Sequence, residues 1–335
     1  MKISAQFMPG DLPVFLDSVR KAEEAGYARA YLVEGQLLWR DVYVYMTHGL
    51  AATERIVFGT AVTNPRTRHY SVIASAHATL AELHPGRVVL GMGRGDNAVR
   101  TLGLKQVSTS QLREVAPKLR ELMAGRAVDC DGTDIRIQWA SEAIGKVPVM
   151  LSASGPRTLR MAGAVADIVM LQVGVNPEAV KWAVDIVKAG AEEAGRDPGD
   201  VETTLYTAMW VSDDLDEARS QTRWAAACAA NHVADVMRNV PDHGMPEALT
   251  RLAALRGDHY DYASHLDPSV ERSEYPDEVI DDFAFNGPPE RIVDMLRALA
   301  AVGLDEVAPC YLNGRLDEMD VVGREIIPAV SALAA

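Results

Sequence analysis

The sequence predicts a (β/α)8 barrel, or TIM barrel, formed by a single domain over residues 1–335. Eight short apolar segments have the character of strands, and most of them precede a segment with helical periodicity, which is the alternation of an α/β barrel. The chain has 335 residues, a length that α/β barrels often use as one domain. A doubly wound sheet is the alternative, but it ordinarily uses fewer strands.

The predicted strands are short apolar runs that end in polar or glycine-rich loops. They span residues 3–7, 30–34, 56–58, 88–90, 147–151, 168–171, 203–211 and 306–312. The first predicted helix carries two signals, since Leu12, Phe15 and Val19 recur at helical spacing and Gly26 follows the last turn. Comparable signals place helices at residues 41–53, 69–83, 108–123, from 156 onward, 177–194 and 288–302.

Two stretches depart from this alternation. Residues 125–139 are expected to form a hairpin outside the barrel. Residues 213–282 begin with a long helical stretch, 215–240, and continue as a region rich in Pro, His and Tyr. We expect this second stretch to be an insertion near the carboxyl-terminal mouth of the barrel, where it shapes the substrate pocket.

Composition excludes several classes of partner. The net charge of −14 argues against nucleic acid or an anionic membrane surface. Cys130, Cys228 and Cys310 lie far apart, which favours thiols in a cytoplasmic protein over disulfides or a zinc site. The amino terminus lacks the apolar core of a signal peptide, and no apolar run reaches the length of a membrane span. We therefore expect a cytoplasmic protein with no membrane or nucleic-acid partner.

Polar residues follow the third and fourth predicted strands, within residues 55–97. Thr63 and Asn64 come after the third strand, and Arg94 and Asp96 after the fourth. A right-handed βαβ unit places both strand ends on one edge of the sheet, where α/β folds build their active sites. These residues therefore predict the floor of a cofactor site.

The glycine-rich segment GMGRGD spans residues 91–96. It is not the dinucleotide fingerprint, because its spacing is G-x-G-x-G on the fourth strand instead of G-x-G-x-x-G on the first. Two interpretations remain. One is an ordinary tight loop, and the other is a loop whose glycines let a flat ring approach the backbone, which the neighbouring Arg94 and Asp96 favour.

Small residues also follow the fifth predicted strand, as SASGPR over residues 152–157. Free backbone N–H groups at a helix start, with Arg157 beside them, are typical of a phosphate site. An ordinary capped helix explains the same residues, so both interpretations stay open.

Glu34 ends the second predicted strand, where it serves either as a capping acceptor or as a site acid. His69, His77 and His84 form no metal-ligand cluster with nearby Cys or carboxylates, so structural or surface roles are favoured and no metal is expected. One histidine of the insertion could face substrate, and the candidates are His232, His243, His259 and His265.

The stretches VFGTAVTNPRTRH and ATLAELHPGRVVLGMGRGD resemble the luciferase-like superfamily of flavin- and deazaflavin-dependent oxidoreductases. Within it they look most like the branch that uses coenzyme F420, especially methylenetetrahydromethanopterin reductase-like proteins. ASGPRTLRMAGAVADIVM and FAFNGPPERIVDMLRALAAVGLDEV are similar to later parts of the same superfamily, so the resemblance covers most of the chain. It implies a (β/α)8 barrel, usually a homodimer, with the cofactor's three-ring system at the carboxyl ends of the strands.

The resemblance also implies particular site residues. A non-prolyl cis peptide that presses on the ring would fall at Ala61-Val62, and an acidic proton donor would fall at Asp96. The Asp-His pair typical of the second strand reads Glu34-Gly35 here, so the carboxylate is kept in type and the histidine is missing.

The resemblance therefore implies hydride transfer between F420 and a small organic substrate. Without a histidine base at Gly35, reduction of a C=C or C=N acceptor is favoured over alcohol oxidation. Asp96 or Glu34 would donate the proton if burial raises its pKa. The residues expected at the cofactor are Glu34, Trp39, Ala61, Val62, Thr63, Asn64, Gly93, Arg94, Gly95, Ser154, Gly155 and Arg157, with Arg66 and Arg68 near its acidic tail.

Two other functions stay open. An FMN-dependent luciferase-like monooxygenase is favoured by Arg94, because FMN enzymes of the superfamily often use an arginine at this place for the phosphate. A flavin-binding homologue without catalysis is kept open by the missing histidine at Gly35.

Overall fold

The computed structural model describes residues 1–240, 244–256, 260–262, 264, 266–270, 272, 274–311 and 314–331. Within these ranges the chain forms twelve β-strands, ten of them in one parallel sheet. The strands are β1 Lys2–Ile3, β2 Ala5–Phe7, β3 Arg29–Leu32, β4 Val57–Thr60, β5 Val88–Met92, β6 Val128–Cys130, β7 Thr133–Ile135, β8 Val149–Ala153, β9 Ile168–Leu171, β10 Glu202–Val211, β11 Ala284–Gly287 and β12 Glu306–Tyr311.

The parallel sheet closes into an eight-stranded barrel, which confirms the predicted fold. The order around the barrel is β2, β3, β4, β5, β8, β9, β10 and β12, with β1 beside β12 ahead of β2. Strand β12 closes the ring because it pairs with β10 on one edge and with β1 and β2 on the other. Since all these pairings are parallel, the eight carboxyl ends meet at one mouth.

The structure contains a strand, β11, that the sequence analysis did not predict. It pairs with residues 208–211 of β10, whose first four residues pair with β9. At Ala208 the other edge of β10 is taken by β12, so β11 occupies the edge that β9 leaves. The strand is only four residues long and ends in Asn286 and Gly287, two residue types that disfavour strands.

Thirteen α-helices lie in the described residues, and most of them connect the barrel strands. They are α1 Leu12–Ala25, α2 Val42–Ala52, α3 Tyr70–Leu83, α4 Asn97–Arg100, α5 Thr109–Met123, α6 Pro156–Val165, α7 Pro177–Glu193, α8 Leu215–Asn239, α9 Glu247–Ala254, α10 Asp277–Asp281, α11 Pro289–Ala301, α12 Leu316–Val321 and α13 Ile327–Ser331. None of the helices in these described ranges is both long enough and apolar enough to cross a membrane.

Local signals explain where the helices begin and end. The Asp41 carboxylate accepts a hydrogen bond from the Tyr43 N–H at 2.9 Å and so caps the start of α2. Gly26 has φ of +89°, the left-handed conformation that ends α1. The predicted hairpin outside the barrel is present as the antiparallel pair β6 and β7.

Helices α8, α9 and α10 lie between β10 and β11, in the stretch predicted to be an insertion. The longest of them, α8, has 25 residues and packs against β10 and β11. That contact carries α8 to the carboxyl-terminal side of the barrel, where the site lies.

The inside of the barrel is filled by side chains that come from strands alone, including Tyr31, Val89 and Met150. At the amino ends of the strands the side chains inside the barrel are charged. Arg29 on β3 contacts Glu306 of β12 at 2.6 Å and Glu202 of β10 at 2.7 Å. These ion pairs close the bottom of the barrel and leave the opposite mouth for chemistry.

Candidate active site

A cavity of about 680 Å³ opens at the carboxyl ends of the barrel strands, a size typical of small-molecule sites. The loops after five strands line it, and α8 forms part of its wall. The predicted residues that line it are Glu34, Trp39, Ala61, Val62, Asn64, Gly93, Arg94, Gly95, Asp96, Ser154, Gly155 and Arg157. The structure thus brings together side chains that sequence places more than a hundred residues apart.

Thr63 differs from the other predicted residues because it lies fully buried behind the cavity wall. Its hydroxyl lies 3.5 Å from that of Tyr43. The neighbouring Asn64 accepts hydrogen bonds from the N–H groups of Arg66 at 3.1 Å and Thr67 at 2.9 Å, which holds the loop in an Asx turn. Arg66 itself is exposed and does not line the cavity.

The floor of the cavity is made by backbone. The Ala61-Val62 peptide bond is cis, as the resemblance implies. A Cβ at Gly93 would lie 2.8 Å from Val62 Cγ2, so only glycine lets the loop after β5 approach the loop after β4 this closely. The two loops together offer a surface with few protruding side chains, which suits a flat ligand.

Gly95 turns the chain so that the next residue, Asp96, lines the cavity. Its φ of +91° is left-handed, and a Cβ there would lie 2.3 Å from Val99 Cγ2. Asp96 precedes α4 but makes no side-chain capping hydrogen bond to it. Its carboxylate interacts with other elements instead.

Asp96 pairs with a histidine from the opposite wall. Its Oδ2 lies 3.0 Å from Nε2 of His232 on α8, and its Oδ1 lies 3.2 Å from Nε of Arg100. Arg100 also contacts Asp235 of α8. The cluster links the loop after β5 to α8 across the mouth of the barrel.

Two opposing effects act on His232. Burial lowers the pKa of its imidazole, but the charge of Asp96 and the hydrogen bond to it outweigh burial, so the pKa of His232 lies above its usual value. The imidazolium therefore persists to a higher pH than in a free histidine.

Glu34 lines the cavity from the loop after β3. Its Oε1 accepts a hydrogen bond from Arg68 Nε at 3.1 Å, and Arg68 in turn contacts Asp41 at 2.6 Å. Burial raises the pKa of Glu34 above its usual value, although Thr63 and Arg68 act in the opposite direction. Arg68 is thus committed to two carboxylates of the same chain.

Gly35 stands where the resemblance implies a histidine. A Cβ at Gly35 would lie 2.9 Å from the ring of Trp39 and 3.1 Å from Asn97 Nδ2. The indole therefore fills the space that a side chain at residue 35 would need.

The start of α6 forms the end of the cavity beside α5 and α8. Gly155 precedes the helix and offers no side-chain cap, so the first N–H groups of α6 face the cavity. A Cβ at Gly155 would lie 2.8 Å from a methyl group of Val236, which shows how closely α8 approaches this loop. Together with exposed Arg157 these groups can hold an anion.

Three histidines outside the cavity have structural roles. His77 is fully buried, its Nδ1 lies 2.9 Å from the Ile73 carbonyl, and burial lowers its pKa to about 4. His69 caps the start of α3 and His84 follows its end, so the predicted structural roles are confirmed. His243, His259 and His265 lie outside the described residues. In the part of the chain that is described, no group of three or more His, Cys, Asp or Glu could hold a metal ion.

Sequence reasoning named His232 only as one of four candidates and missed Arg100 and Asp235. A signal was available, since Cys228, His232, Asp235 and Val236 recur at helical spacing and all line the cavity. That spacing gains meaning only once α8 is known to face the site.

Several known proteins are similar to this chain over much of its length. The 5,10-methylenetetrahydromethanopterin reductase of Methanolobus tindarius is 29% identical over 98% of this chain and all of its own length. The F420-dependent glucose-6-phosphate dehydrogenase of Microbacterium testaceum is 34% identical over 68% of this chain and 71% of its own.

Among solved structures, the coenzyme F420-dependent tetrahydromethanopterin reductase of Methanopyrus kandleri superposes with a TM-score of 0.76 at 22% identity, covering 98% of this chain and 99% of that one. At that identity the likeness shows the fold alone. The sequence profile of the luciferase-like monooxygenase family matches residues 4–306. The chain therefore belongs to the luciferase-like monooxygenase family.

Proposed function

We propose that the protein is an oxidoreductase that transfers hydride between coenzyme F420 and a small organic substrate. One observation carries the proposal. A single cavity joins a flat backbone floor at Ala61 and Val62 to the uncapped start of α6, in a chain similar along 98% of its length to a methylenetetrahydromethanopterin reductase. A planar ring and a phosphate, the two ends of such a cofactor, have matching places in this cavity.

The fit assigns residues to each part of the cofactor. Ala61, Val62 and Gly93 would hold the ring, and the N–H groups and side chains of the loop before α6 would hold the phosphate. Thr63 supports the floor from behind. The residues proposed at the ring are Glu34, Trp39, Ala61, Val62, Asn64, Gly93, Arg94 and Gly95, and those at the phosphate are Ser154, Gly155 and Arg157.

When bound, F420 supplies the hydride, and the protein supplies geometry, exclusion of water and a proton. Asp96 with its partners holds one wall, and Glu34, whose pKa burial raises, holds another. Because Gly35 offers no base beside Glu34, we propose reduction of a C=C or C=N acceptor as the favoured direction.

The FMN-dependent alternative has one observation in its favour. Arg94 lines the cavity, and its Nε donates to the Val107 carbonyl at 2.8 Å, which fixes the guanidinium at the site. Titrating the protein with F420 and with FMN, and following fluorescence quenching, separates the two functions. We expect binding of F420. Tight binding of FMN without binding of F420 would overturn the proposal.

A turnover assay separates the enzyme from a homologue without catalysis. Reduced F420 is mixed with the protein and a panel of enones and imines, and its oxidation is followed. We expect oxidation by at least one acceptor. Binding without turnover across the whole panel would favour the homologue without catalysis.

We further propose a homodimer in the cytoplasm. Val44 on α2 and Val72 on α3 are each 54% exposed, which suits an apolar contact between subunits. Cys130, Cys228 and Cys310 are present as thiols, as a reducing compartment requires. Light scattering coupled to size-exclusion chromatography measures the subunit number, and a monomer at working concentration would refute the dimer.

A further inference from the structure

We propose that His232 is the residue that exchanges a proton with the substrate, and that Asp96 positions it. This inference rests on the proposed function, because it names the proton carrier of that reaction. It assigns a role to a residue of the long helix α8, outside the strand-end loops that supply the other proposed groups.

The geometry suits such a role. His232 lines the cavity with its side chain 14% exposed, and Asp96 opposite it is 21% exposed. Nε2 of the imidazole is engaged by Asp96 Oδ2 at 3.0 Å, and no hydrogen bond of Nδ1 is found among the described residues, so we assign Nδ1 as the atom that exchanges a proton. A carboxylate on one ring nitrogen orients the ring and stabilises the charged form, as in other His-carboxylate pairs.

The charges around the imidazole favour its protonated form. The carboxylates of Asp96 and Asp235 raise the pKa of His232, and the guanidinium of Arg100 lowers it. Burial raises the pKa of the nearby Tyr206 and of Cys228, so both stay neutral. Among the described residues, the titratable and charged groups that face this cluster are Arg94 and Asp96 after β5, Arg100 on α4, Tyr206 on β10, Cys228, Asp235 and Arg238 on α8, and Tyr260, Tyr262 and Arg272 beyond α9.

The other two acids are worse placed to give up a proton. Asp96 faces an imidazole and a guanidinium, and both donors stabilise its carboxylate. Glu34 is held by Arg68, which is not part of this cluster. Within this cluster we therefore assign the exchangeable proton to His232.

His232 also changes which substrates are within reach. The preference for C=C or C=N acceptors follows from the lack of a base at Gly35, where Trp39 fills the space. A neutral His232 can accept the proton of a hydroxyl, so the same pair serves alcohol oxidation and carbonyl reduction. We therefore include alcohols and carbonyl compounds in the substrate class.

The step balances in both directions. In reduction, the acceptor carbon gains the hydride from reduced F420, the π electrons of the C=X bond move to X, and X takes the Nδ1 proton of His232. The neutral imidazole then recovers a proton from solvent. In oxidation, the hydroxyl proton goes to Nδ1 as the hydride leaves the carbon for oxidised F420.

The test uses His232→Gln, Asp96→Asn and, as matched control, His48→Gln at an exposed histidine of α2. The pKa of His232 is measured by NMR titration of the protein without cofactor, where it should lie above the usual histidine value and fall in Asp96→Asn. The rate at which an active acceptor from the panel oxidises reduced F420 in a single turnover is then measured as a function of pH. We expect His232→Gln to lower the rate about 100-fold and to remove one limb of the pH profile, with F420 affinity kept.

A merely structural role would lower stability or affinity and leave the pH profile in place, and that result would overturn the inference. So would a His232→Gln variant that matches His48→Gln in rate. If the native protein neither binds F420 nor oxidises its reduced form, the proposed function fails and this inference with it. Native turnover with an unaffected His232→Gln variant refutes only the inference.

Discussion

At the scale of single residues, burial decides which carboxyls of this protein keep a proton near neutral pH. Glu318 of α12 is the clearest case outside the site. Burial raises its pKa to about 7, although Arg315 and the Val211 N–H, which donates to its Oε1 at 2.6 Å, both favour the charged form.

Replacing Glu318 by Gln should make the protein relatively more stable as pH rises. The folded protein binds the Glu318 proton more tightly than the unfolded chain does. The contribution of Glu318 to the free energy of unfolding therefore decreases as pH rises from the ordinary glutamate pKa to about 7. The variant lacks this titration, and its advantage should grow by about 2–3 kcal/mol over that window. Urea unfolding at several pH values, with exposed Glu325→Gln as control, measures the effect, and a constant difference would contradict it.

The substitution Asp96→Asn tests whether the carboxylate beside His232 contributes to turnover. An amide keeps the size of the side chain but removes the charge that stabilises the His232 imidazolium, so turnover should fall by about 10–100-fold. Cofactor affinity should change little, because Asp96 is not among the residues proposed to hold the ring or the phosphate. Steady-state rates and F420 titrations check both claims, and an unchanged rate would remove Asp96 from the mechanism.

At the scale of elements, the site depends on how two helices meet the barrel. The start of α6 offers N–H groups to the cavity, and α8 packs so closely on the same loop that Gly155 has no room for a side chain. Helix α8 thus supplies His232 and also closes the proposed phosphate end. In the proposed function, cofactor binding and proton transfer would therefore both depend on α8.

Arg157→Ala should weaken F420 binding by about tenfold, the value of a charge-assisted contact at an exposed position. Arg160→Ala is the matched control, because Arg160 lies one turn further along α6 and pairs with Glu193. Fluorescence titration gives both dissociation constants. Equal constants for the two variants would place the phosphate elsewhere.

At the scale of the whole molecule, barrel closure separates stability from function. The amino ends of β3, β10 and β12 meet at Arg29, Glu202 and Glu306, and the carboxyl ends meet at the cavity. Charged groups at the bottom hold the first and last parts of the chain together. The mouth is thereby free to carry polar groups that serve binding.

Arg29→Ala should destabilise the protein by about 3–5 kcal/mol, because it leaves Glu306 buried without its cation. Lys2→Ala, which removes an exposed partner of Glu202, should cost at most about 1 kcal/mol. Adding Glu306→Gln to Arg29→Ala should recover part of the loss, since the buried charge is then gone. Urea unfolding measures all three, and equal losses for Arg29→Ala and Lys2→Ala would refute this role.

The alternation of apolar strands and periodic helices was enough to predict the barrel, because each strand must bury both faces and each helix one. The strand ends also placed Glu34, Asp96 and the loop before α6 at one mouth, since parallel strands share their direction. Ala61-Val62 was predicted by resemblance and is cis. Strand β11 was not predicted because Asn286 and Gly287, two residue types that disfavour strands, make up half of its four residues.

The sequence alone therefore determined the barrel and which strand-end residues border its mouth, because those follow from local patterns and from strand direction. Only the tertiary structure decided that His232 meets Asp96, 136 residues away along the chain. That contact depends on how α8 packs over β10 and β11, and such packing results from many weak long-range contacts. The helical spacing of the residues on α8 does not by itself reveal which strands that helix faces.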